Sequence, residues 1–76
     1  MGINIRKISE LNTIIKDKLN ENAALINTVN VFRSIGEDAK AEMKENERLV
    51  IVRGTINLLE QIKVLCDEQI EEIKLS

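Results

Sequence analysis

Residues 45–61 read ENERLVIVRGTINLLEQ, and the four branched apolar residues at their centre, Leu49, Val50, Ile51 and Val52, decide the fold. Taken alone, the four resemble a short buried strand. The residues that follow repeat differently. Leu49, Val52, Ile56, Leu59, Cys66, Ile70 and Ile73 fall on a heptad stripe broken only by Lys63. A strand here has only Ile3-Asn4-Ile5 as a partner of similar pattern, and a two-stranded ribbon is marginal in water. The run therefore belongs to one continuous helix. Gly54 inside it costs about 1 kcal/mol relative to Ala, which points to a close approach by another backbone or to a mild kink. Close approach is the favoured reading and makes Gly54→Ala destabilising.

A helix cannot place four consecutive apolar residues on one face. Ile51 opens a second stripe, with Leu58, Ile62 and Leu65, turned about 100° from the first. A helix apolar over so wide an arc is covered on two sides.

The first half of the chain carries Ile8, Leu11, Ile15, Leu19, Ile26, Val29 and Phe32, with Leu25 widening the stripe and Asn22 interrupting it. Spacings of three and four again mark a helix. Ala39 and Met43 begin the second helix more weakly. The strongest punctuation between the halves is Ser34-Ile35-Gly36-Glu37-Asp38. Gly36 suits the left-handed position after a helix, and Asp38, or Ser34 with Glu37, suits a cap. The expected fold is all-α: an antiparallel two-helix hairpin, with a helix over about residues 5–34, a turn at 35–38 and a helix over 39–74. Its expected seam joins Ile8, Leu11, Ile15 and Leu25 to Val52, Ile56, Leu59 and Cys66, with Ile8 near Cys66 and Ile15 near Leu59. Ile51, Leu58, Ile62, Leu65 and Gly54 are left to meet an outside partner. Asn22 reads as a register device, and Cys66 as a small packing residue.

Composition limits what such a chain does. Its 76 residues are 43% hydrophobic and 32% charged, with Phe32 as the sole aromatic and no His, Pro, Trp or Tyr. The first 36 residues carry five basic and three acidic groups, the remainder six and ten, so the halves attract. Arg6 and Lys7 fall opposite Asp67 and Glu68 in the expected register. No apolar run reaches the roughly 20 residues of a membrane helix, and no apolar block follows Arg6 and Lys7 as in a signal peptide. An intracellular address is expected.

No catalytic constellation is legible. Without His there is no imidazole base or His-containing metal motif, and Gly2, Gly36 and Gly54 are too scattered to cradle phosphate. Acidic groups cluster at Glu37, Asp38, Glu42 and Glu45 and again at Asp67, Glu68, Glu71 and Glu72, reading as solvated helix faces. No cofactor or metal is expected. Five scattered basic residues on the first helix, with no stacking aromatic, make a weak nucleic-acid footprint.

The stretch Glu45 to Leu65, with Arg53-Gly54, Ile56, Leu59 and Ile62 behind acidic residues, resembles the second helix of small head-region proteins of tailed bacteriophages. The resemblance covers about a quarter of the chain and implies a non-enzymatic virion or assembly component. The expected function is therefore structural: helix packing against copies of itself or a larger protein. The alternative is a small regulatory binder, either a protein inhibitor or a hairpin dimer that binds RNA.

Overall fold

A computed structural model describes residues 2–76, with side chains from Asn4 onward, as helix α1, Gly2–Ser34, and helix α2, Asp38–Leu75. They fold back on each other as an antiparallel hairpin. Leu11 and Ile14 share one groove with Gln61, Val64 and Leu65, while Leu19 and Asn22 share another with Val52, Thr55 and Ile56. The β-branched run is helical throughout. Its four residues fan around α2, with Val50 exposed and Ile51 and Val52 half-buried.

Gly36 makes the reversal possible. Its φ of 78° lies where a Cβ is disfavoured. The Gly36 N–H donates to the Arg33 carbonyl at 3.2 Å and the Glu37 N–H to the Phe32 carbonyl at 2.8 Å, the paired bonds of a Schellman motif. Side-chain capping of α2 is absent: Glu37 occupies the N-cap without a side-chain hydrogen bond. Ser34 instead donates back to the Val31 carbonyl at 2.7 Å, and Asp38 contributes its charge to the first turn of α2.

The core is a single line of contact. Ile15, Val29 and Ala41 are the buried apolar residues among those described, and no large side chain is fully enclosed. Along α1 the inward line is Asn4, Ile8, Leu11, Ile15, Lys18, Asn22, Leu25, Val29 and Phe32, a heptad in unbroken steps of four and three. Leu19 and Ile26, read from the sequence as part of this line, are exposed beside it. The molecule measures 60 × 15 × 12 Å with a radius of gyration of 17.4 Å, against about 11 Å for a globular chain of this length.

The α2 side of the seam corrects the sequence reading. Its inward line runs through Ala41, Arg48, Ile51, Thr55, Leu58, Ile62, Leu65 and Gln69. Ile56 and Leu59, expected in the seam, are 51% and 50% exposed, and Val52 and Cys66 are half-buried at its margin. Ala39 and Met43 point outward. The two stripes of α2 have exchanged places. The tight turn supplies the reason: it brings Ala41, 2% exposed, against α1. Stepping from Ala41 by sevens leads to Arg48, Thr55, Ile62 and Gln69. Rotating α2 by about 100° to bury the more apolar stripe would lift Ala41 out of this contact.

Polar residues on the inner line are accommodated unequally. The Thr55 hydroxyl donates to the Ile51 carbonyl at 2.8 Å, so its burial leaves nothing unpaired. Arg48 Nη1 donates across the seam to Asn22 Oδ1 at 3.4 Å, which gives Asn22 a partner on the facing helix. The Gln69 side chain is buried with neither amide atom hydrogen-bonded among the described residues, a cost of about 1–3 kcal/mol. The anticipated cross-helix charges do not meet: Arg6, Lys7, Asp67 and Glu68 form no ion pair among the described residues. The ion pairs of Lys18, Lys40, Lys44, Arg48 and Lys74 instead join carboxylates three residues away on the same helix or at its cap.

Candidate functional site

With the seam placed, the surface of the hairpin divides into two unlike sides. One flank carries Lys7, Glu10 and Gln61 around a short apolar groove of Leu11, Ile14, Val64 and Leu65. The opposite flank carries a longer apolar row, interrupted at Lys63 and ending at Glu45 and Arg33. Leu49, Ile56, Leu59, Ile70 and Ile73 of α2 are exposed there, and Leu19 and Ile26 of α1 border the same side. Ile5 continues the α1 row toward the open end. Scattered exposed aliphatics are ordinary on a protein surface, but a contiguous row marks an interaction site.

The row on α2 is itself a second heptad. Glu45, Leu49, Val52, Ile56, Leu59, Lys63, Cys66, Ile70 and Ile73 advance in alternating steps of four and three. Its polar members are Glu45 and Lys63. Glu45 accepts from Arg48 Nε at 3.0 Å on both carboxylate oxygens, and it lines a shallow groove with Ile26, Arg33 and Arg48. Its hydrogen bond to Arg48 and the charges of Arg48 and Arg33 together hold the Glu45 carboxyl below the usual range despite partial desolvation. It thus remains an anion at the end of the apolar row. Lys63 makes no ion pair among the described residues.

Of the residues assigned from sequence to a partner, Ile51, Leu58, Ile62 and Leu65 are half-buried in the hairpin itself. The open face uses Leu49, Val52, Ile56, Leu59 and Cys66, together with Leu19 and Ile26 from α1. Sequence reasoning found both stripes and reversed their roles. Small Ala41 beside the turn was the signal that could have phased them.

Gly54 requires a separate correction. It lies on the far side of α2 from the open face, and a Cβ built on it meets nothing within 4 Å. No close approach within the hairpin explains the glycine. Gly54→Ala should therefore stabilise the hairpin by up to about 1 kcal/mol, because an exposed helical glycine carries only an entropic cost. Thermal melts of the two chains check this, and a lower melting temperature for the variant would show an unseen contact at that site.

Among the described residues no three His, Cys, Asp or Glu side chains converge as metal ligands, and no helix is long and apolar enough to cross a membrane. The architecture defines a class: a two-helix coiled coil with one closed and one open seam. Comparison with protein-family models, curated proteins and solved structures finds no match.

Proposed function

We propose that this chain is a non-enzymatic structural or assembly protein, acting by helix–helix packing of its open face against copies of itself or a larger protein. The observation that carries this reading is the second heptad of α2, exposed along several turns while the first is occupied by α1. Burying one large aliphatic side chain from full exposure contributes about 1.5–3 kcal/mol. A row of five that is still about half exposed keeps roughly half of that to gain on being covered. The resemblance of Glu45–Leu65 to bacteriophage head-region proteins fits this role and suggests a virion as its setting. Phosphate recognition draws less support, because Lys18, Lys40, Lys44, Arg48 and Lys74 are each beside a carboxylate.

Sedimentation of the pure chain at high micromolar concentration tests the proposal. The expected species is larger than 8.6 kDa and persists as salt is raised, since apolar contacts are not screened. A monodisperse 8.6 kDa monomer that melts cooperatively would overturn it.

A further inference from the structure

We infer that the occupant of the open face is a second copy of this chain, docked antiparallel across a two-fold axis at the level of Gly54. This rests on the assembly reading above and adds the partner and its register. Two features of the open heptad carry it.

The first is symmetry of character. Reading outward from the level of Gly54, Val52 is matched by Ile56, Leu49 by Leu59 and Glu45 by Lys63. A two-fold axis perpendicular to α2 at that level seats each residue against the matching one of the other copy. The four central aliphatics then meet aliphatics, and each Glu45 meets a Lys63 that has no ion pair within its own hairpin among the described residues. Ile70 falls outside this central match, beside Asp38 of the other copy. The carboxylate retains acceptor capacity beyond its bonds to Arg48. Other arrangements lose this match. A parallel pair opposes Lys63 to Lys63 and Glu45 to Glu45. Sliding the antiparallel pair by one heptad in either direction drives Glu45 against Ile56 or Ile70. Leu19 borders the same groove as Val52 and Ile56, so α1 of each copy flanks the axis and the pair closes as a four-helix bundle.

The second is area. The hairpin exposes 5702 Å², about 1,000 Å² more than a globular monomer of its mass. A standard interface takes about 800 Å² from each partner. One copy therefore covers most of the excess.

The lone Cys66 makes the register testable by cross-linking. In this arrangement Cys66 faces Glu42 of the second copy, far from the other Cys66. Within one chain the two positions are about 36 Å apart along α2 at 1.5 Å per residue, beyond the reach of any disulfide. Mild oxidation of Glu42→Cys should give a covalent dimer bridged between the introduced thiol and Cys66, while the unaltered chain stays uncrosslinked. Lys63→Glu should weaken the dimer at least about tenfold by opposing like charges, with helicity unchanged. A Cys66–Cys66 bridge in the unaltered chain, or an oligomer in which Glu42→Cys does not link, overturns the register and leaves the assembly reading standing. Unchanged dimer affinity in Lys63→Glu overturns the register as well. A monomer by sedimentation overturns both.

Discussion

Leu58→Asp should unfold the hairpin, whereas Leu59→Asp should leave it helical and reduce it to a monomer. The two residues are neighbours in sequence and identical in chemistry, so only their placement separates them. Leu58 lies on the inner line of α2, half-buried, while Leu59 is 50% exposed on the open face. Replacing Leu58 removes packing worth about 2 kcal/mol, the lower end for a core leucine because the side chain is half-buried. It also forces a carboxylate into the seam, a further penalty. Replacing Leu59 leaves the carboxylate hydrated in the lone hairpin and becomes costly only when a partner covers it. Circular dichroism with light scattering on both variants decides the matter. If Leu58→Asp remains folded and Leu59→Asp melts, the more apolar stripe is the true seam. If both melt, the hairpin has no stable existence outside its assembly.

Ile15→Ala should remove a large share of the remaining stability. Ile15 is 5% exposed in a core with few other buried apolar residues, and truncating such a side chain costs about 2–5 kcal/mol. The whole chain is expected to hold about 4–11 kcal/mol at 0.05–0.15 kcal/mol per residue. A thin seam has no neighbouring layer that can collapse into the gap. Ile14→Ala is the control: Ile14 is 43% exposed at the margin of the seam, against 5% for Ile15, and its loss should cost less. Urea melts of both variants measure the difference, and equal shifts in midpoint would show that the seam does not run through Ile15.

These expectations show how a one-seam fold divides its stability. More than half of the apolar side chains of α2 are exposed in the hairpin. The inner line of α2 includes Arg48, Thr55 and Gln69, with the Gln69 amide unpaired, while the outer line is aliphatic apart from Glu45, Lys63 and Cys66. The fold thus retains the poorer of its two heptads for itself. The richer one stays exposed.

The division of information between sequence and tertiary structure follows from the same feature. The helices, their antiparallel course and the reversal at Gly36 were legible in residue order. Each depends on local chemistry: spacings of three and four, the absence of proline, and a glycine where the backbone turns left-handed. The existence of two apolar stripes on α2 was equally legible, because Leu49-Val50-Ile51-Val52 cannot share one helical face. Which stripe faces α1 was not. Hydrophobicity favours the line through Leu49, Val52, Ile56 and Leu59, and that preference is overruled. The Schellman turn seats Ala41 against α1, a rigid helix then carries that phase through Arg48, Thr55, Ile62 and Gln69, and rotation about the helix axis is settled by turn geometry that no count of apolar residues contains.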